Sequence, residues 1–251
     1  MRAPFLRGFW KLTWLETKIF TREPMGFVGA LVMPLVLFVV LGRAFGVSRP
    51  LTTPDVDVPF NVAILAAILI AISAVQSLVA IISIYREGGI LKRLRATPLS
   101  PVTIMGAQVA VKLGFTVISL ALLVLAGRRL FPGVMDVNVF SFTAAVLLST
   151  FSILSLGFVI ASLVPTARFA QPISAALLYP MLFLSGLFFP VERFPSALRT
   201  LAYAFPTTHA VTLLEGVWDG SGWAAHSVSV AALLALFAVY TAISTRVFRW
   251  E

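Results

Sequence analysis

Cysteine is absent from this 251-residue sequence, and histidine occurs only twice, as His209 and His226. The first absence removes disulfides, thiolate nucleophiles and cysteine-ligated metals. The second leaves no His-Glu-x-x-His helix and no other spacing that holds a metal. Charge is also scarce: 12% of residues are Asp, Glu, Lys or Arg, where soluble chains carry about a quarter. No G-x-x-x-x-G-K-[ST] loop occurs, so the chain carries no phosphate cradle of that kind for a nucleotide.

What remains is apolar. Hydrophobic residues make up 59% of the chain and the mean hydropathy is +0.99. Uncharged runs are long: 19 residues between Glu23 and Arg43, 28 between Asp57 and Arg86, and 31 between Asp136 and Arg168. A helix crosses the hydrocarbon core with about 20 apolar residues. The pattern predicts an all-α polytopic membrane protein, a single transmembrane domain over 1–251. Its spans are expected near Met25–Gly42, Phe60–Ile84, Val102–Ala126, Val139–Val164, Pro172–Phe189 and Trp223–Thr245, six in all.

An even number of spans puts both termini on one side, and the basic residues choose it. Twelve of them, Arg86, Lys92, Arg93 and Arg95 among them, fall on the side of the termini, and six fall on the other. The positive-inside rule makes the first side cytoplasmic. An isoelectric point near 10.8 would point to nucleic acid in a soluble chain. Here the basic residues flank apolar spans, so topology accounts for them and no nucleic-acid partner is expected.

Residues 3–22 predict a helix lying along the inner interface. Arg7, Lys11, Lys18 and Arg22 share one narrow stripe at 100° per residue, with Phe5, Phe9, Trp10, Leu12, Ile19 and Phe20 around the rest. The first 23 residues are too charged to read as a cleavable signal. At the other end, Pro190–Gly222 is too apolar for a free outer loop and too interrupted to span. Pro195 and Pro206 are each placed to open a short helix, so two re-entrant helices are expected there.

Chemistry-bearing residues are few. Ser185-Gly186 and His226 would suit an intramembrane serine protease, but Phe183 stands where such enzymes carry a glycine two residues ahead of the serine. The expected spans hold no Asp or Glu, which argues against ion-coupled carriage. Lys112 falls inside the third span, where its long stem is expected to snorkel inward. Transport without intramembrane acids needs energy from elsewhere, and the longest extramembrane stretch is too short for a nucleotide-binding domain.

One inner segment carries more information. Between the second and third spans the chain reads R-E-G-G-I-L-K-R-L-R-A-T-P-L-S-P from Arg86 to Pro101, an amphipathic run closed by proline and suited to a groove on another protein. This run resembles the coupling-helix signature of permease subunits of type-two ATP-binding-cassette exporters. Glu87, Gly89, Leu91, Arg93, Leu94, Thr97 and Pro98 match it, with Arg86 just ahead. Lys92 departs, since many members carry an acid there. The inner helix, the six spans and the proline-broken outer hairpin extend the likeness over nearly the whole chain.

The resemblance implies a transport subunit that is not itself an enzyme. It implies two separate ATPase subunits that bind ATP and Mg, and a second copy of this chain or a related permease beside it. It implies a prokaryotic cytoplasmic membrane, surrounding lipid, and export of a drug, antibiotic or lipid-like compound, with lipid-linked glycan as the alternative cargo. Residues 86–98 would form the coupling helix. The second and fifth spans would line the path, which singles out Ser73, Gln76, Phe183 and Phe188.

Overall fold

A computed structural model describes residues 2–22, 24–45, 51–53, 56–58, 61–91, 101–131, 138–164 and 166–247. Helices dominate. They are α1 (Arg2–Arg22), α2 (Pro24–Phe27), α3 (Met33–Phe45), α4 (Val62–Glu87), α5 (Pro101–Leu130), α6 (Val139–Leu163), α7 (Ala167–Phe183), α8 (Ser196–Tyr203), α9 (Pro206–Trp218), α10 (Gly222–Ala225) and α11 (Ser227–Val247). A π-helical turn, Val28–Val32, joins α2 to α3. The only strands among the described residues form a short antiparallel ribbon, β1 (Leu51–Thr53) with β2 (Val56–Val58), in which Leu51 pairs with Val58. Nothing in the hydropathy pattern announced that ribbon.

Among the described residues, four helical stretches are long and apolar enough to cross a membrane unaided: Ile64–Glu87, Thr103–Leu130, Val139–Leu163 and Ser227–Val247. The chain is therefore an integral membrane protein. The first expected span is one continuous helical run over 24–45 with a π-turn inside it, its flanking residues Phe27 and Met33 both keeping right-handed helical backbone. The fifth differs from expectation. Its helix starts at Ala167, ahead of Pro172, and stops at Phe183 rather than Phe189. The chain turns at Gly186, whose φ of +93° an L side chain rarely adopts.

The core forms around α4. Its residues are apolar on every side, a pattern that buries a helix instead of laying it on a surface. Ile64, Ile68, Ile72, Val75, Leu78, Val79 and Ile82 are all buried. It packs chiefly on α6 and α7, while α11 and α9 close on the other side of α6. Gly157 lets α6 approach: a Cβ there would sit 3.0 Å from Val75 and 3.2 Å from Leu78. Ser152 donates to the Leu233 carbonyl at 2.9 Å and ties α6 to α11.

The hairpin expected on the outer side follows its prolines. Pro195 precedes α8 and Pro206 is the first residue of α9, where a missing N–H costs nothing. Thr207 donates to Met181 at 3.0 Å and Thr208 to Ala202 at 2.6 Å, so the start of α9 is fastened to α7 and α8. Most of α9 is buried against α6 and α11.

Candidate functional site

The sequence places an ATPase-facing helix over 86–98, and the structure relocates its first two residues. Arg86 and Glu87 close α4. Gly88 donates back to Ile84 at 2.9 Å and Gly89 to Arg86 at 3.1 Å, with Gly89 at φ +66°. A left-handed glycine after the last helical residue is a standard way to end a helix, which supplies a physical reason for the glycine of the motif. Helical backbone resumes at Ile90 and Leu91, and Leu91 is fully buried beside Ile81 and Tyr85. Arg93, Leu94, Thr97 and Pro98 lie outside the described residues.

The two charges at the end of α4 have partners within the chain. Arg86 donates from one guanidinium nitrogen to the carbonyls of Ala161 and Val164, both at 2.7 Å. Those carbonyls end α6, where the last acceptors have no helical partner and the dipole end is negative. The Glu87 carboxylate accepts from the Ala167 N–H at 2.9 Å. That N–H opens α7, where orphaned donors and a positive dipole end favour an anion. Each charge thus meets the helix end of opposite polarity.

One residue earlier, the Tyr85 hydroxyl donates to Glu16 Oε2 at 2.8 Å. Glu16 belongs to α1 and is only 2% exposed. Leu12, Glu16 and Phe20 are buried at fourth-residue spacing and form the face turned towards α5, while Trp10 and Trp14 stand exposed. Burial pushes the Glu16 carboxyl above the usual carboxylate range. The Tyr85 hydroxyl, Gln108 and the Lys112 ammonium each pull it back. Lys112 does not snorkel. It is 1% exposed and lies over the Phe20 ring, 4.1 Å from its centroid. The N-terminal half of α5 is covered by α1, so the ammonium is enclosed by protein.

The four path candidates fall into two pairs. Ser73 and Gln76 lie on the stripe of α4 that neighbouring helices cover least. Ser73 points at the π-turn, with its hydroxyl 3.5 Å from the Gly29 carbonyl. Phe183 and Phe188 stack with centroids 6.3 Å apart where α7 ends, and Phe183 is half exposed. The exposed side of α7 continues through Phe169, Leu177 and Tyr179.

A serine hydrolase dyad does not form. Ser185 donates to the Leu182 carbonyl at 2.6 Å, and the His226 ring instead meets the Ser221 hydroxyl at 2.9 Å. His226 sits against Gly216, where any Cβ would overlap the ring. Among the described residues, no group of three or more His, Asp or Glu is placed to hold a metal ion. Near the outer hairpin, a cavity of about 220 Å³ is lined by Ser185, Glu192, Tyr203, Thr212 and Glu215. Burial pushes Glu215 up to about 7, helped by the charges of Asp219 and Glu192.

Sequence reasoning missed Glu16 and Tyr85. Glu16 looked like one more inner charge. A signal was present, however: it lies between Leu12 and Phe20 on the face opposite the basic stripe.

A helical membrane chain whose second long helix ends in this charged turn belongs to a recognisable class. Residues 7–217 match the sequence profile described as ABC-2 type transporter, and the chain belongs to the ABC-2 type transporter family. The match is to the membrane domain of such transporters. Among curated proteins, Nodulation protein J of Rhizobium leguminosarum bv. viciae is 30% identical over 95 residues. That stretch covers 38% of this chain and 37% of the relative, little more than a third of its length.

Proposed function

We propose that this chain is the transmembrane subunit of an ATP-driven exporter that moves a hydrophobic or amphipathic compound, such as a drug, an antibiotic or a lipid-like molecule, out across a prokaryotic cytoplasmic membrane. Six passages put both termini inside, with α2–α3 and the proline-bearing α7 crossing as the first and fifth. Two copies, or this chain and a related one, stand over two ATPase subunits that bind ATP and Mg.

The observation that carries the reading is the family match over residues 7–217, joined to the apolar face that α7 leaves uncovered. That face gives a second permease something to pack on, and the Ser73–Gln76 stripe supplies polar groups for cargo beside it. Residues 90–98 take up the motion of the ATPase. Inside-out vesicles holding the assembled complex test the proposal. ATP-dependent uptake of a fluorescent lipid-like amphiphile, lost in Phe183→Asp, is the expected result. Accumulation of lipid-linked glycan in cells lacking the gene, with no amphiphile uptake, would replace the cargo with a glycan.

A further inference from the structure

Three consecutive residues at the inner end of α4 each hold a different helix. Tyr85 reaches α1 through the Glu16 carboxylate at 2.8 Å. Arg86 holds the end of α6 through two carbonyls at 2.7 Å. Glu87 holds the start of α7 through the Ala167 N–H at 2.9 Å. Side chains on successive residues of a helix point about 100° apart, so one turn can address three neighbours without competition. The chain then bends at Gly88-Gly89 and re-enters a helix at Ile90, the segment that faces the partner ATPase.

We infer that Tyr85-Arg86-Glu87 is a three-way joint, which makes α1, the end of α6 and the start of α7 follow the end of α4 as one body. The inference rests on the proposed function only in naming the ATPase as the source of motion. Two features make α1 a full member. Its contact is a buried carboxylate with the Lys112 ammonium facing it, not a surface ion pair, and burial strengthens such electrostatic contacts. Leu12 and Phe20 flank the carboxylate with buried apolar contacts to α5, so α1 cannot slide without breaking both. Tyr85, Glu16 and Lys112 act here as positioning residues, because they hold helices in register and need touch no cargo.

The absence of native cysteine permits a direct test. Spin labels are placed at Lys18→Cys on α1 and Arg168→Cys on α7, both exposed. Labelled chain is diluted into unlabelled chain and assembled with the ATPase in nanodiscs. Pulsed electron-spin distances are read without nucleotide and after trapping with ADP and vanadate. The joint predicts one narrow Lys18–Arg168 distance in both states. Tyr85→Phe, which removes only the hydroxyl, should broaden that distribution while co-purification and ATP hydrolysis stay within about two-fold of the parent. Glu16→Gln keeps an acceptor for the hydroxyl and should stay narrow, whereas Glu16→Ala should not. A distance that changes on trapping with Tyr85 intact, or one as sharp in Tyr85→Phe as in the parent, would overturn the joint. An unmodified chain that binds no ATPase would overturn the proposed function instead, and the nucleotide-free distances would still judge the joint.

Discussion

Replacing Arg86 with alanine leaves the carbonyls of Ala161 and Val164 without their guanidinium partner at the end of α6. Hydrogen bonds to charged groups contribute about 1.5–3 kcal/mol, and Arg86 is only partly covered, so a loss near the lower figure is expected. Urea unfolding of purified Arg86→Ala in detergent measures it. Glu87 is exposed, and Glu87→Gln should cost less than about 1 kcal/mol. Glu87→Lys should cost more, because it sets a cation at the positive end of α7 beside Arg86. The sequence alone argues that Glu87→Lys leaves insertion and expression intact, since the site lies outside the hydrocarbon. The contact with Ala167 changes that expectation: lower yield of Glu87→Lys in the membrane, with Glu87→Gln near normal, is the outcome it now predicts. The motif was readable from spacing, but the partners of Arg86 and Glu87 were not, because they lie 75 or more positions away in the chain.

The contact of α4 with α6 depends on a missing side chain. Gly157→Leu would drive atoms into Val75 and Leu78, already 3.0 and 3.2 Å from where even a Cβ would stand. Overpacking of this kind typically costs about 1–3 kcal/mol, so a lower melting temperature for Gly157→Leu is expected, with Ser155→Ala on the same helix as the reference. In the outer hairpin, Glu215 is raised from 4.5 to about 7. A carboxyl raised in the folded state adds stability that is fully present below about pH 4.5 and is lost as pH rises through 7. Melting followed by tryptophan fluorescence should therefore show higher stability at pH 5 than at pH 8. Glu215→Gln should remove that part of the difference, at most about 3 kcal/mol by linkage. Long uncharged runs made α4, α6 and α11 readable, α5 was legible from its hydropathy despite Lys112, and the prolines did the same for α8 and α9. The end of α7 was misjudged because Leu184–Phe189 is as apolar as the helix before it, and only the Gly186 turn marks the break. The π-turn at Val28–Val32 has no pattern of its own, since a single extra residue per turn leaves hydropathy unchanged.

Topology and assembly govern the whole chain. Twelve basic residues on one side against six on the other predict that Thr166 faces the cytoplasm and Ser221 the exterior. With no native cysteine to interfere, Ser221→Cys should react with an impermeant maleimide in intact cells and Thr166→Cys should not. The class of the chain was open to sequence reasoning because sixteen residues from Arg86 to Pro101 carry a dense pattern. Cargo was not, because the residues proposed to line the path are common types whose meaning depends on what covers α7. The proposed partnership with a separate ATPase is the core of the account. Native mass spectrometry of the tagged chain, purified from its own cells in mild detergent, tests it most directly. The account predicts an assembly of two permease chains with two ATP-binding-cassette ATPase chains, and no ATP hydrolysis by the permease once those are stripped away. A chain that emerges without any such ATPase, or that hydrolyses ATP when free of every other subunit, would contradict it.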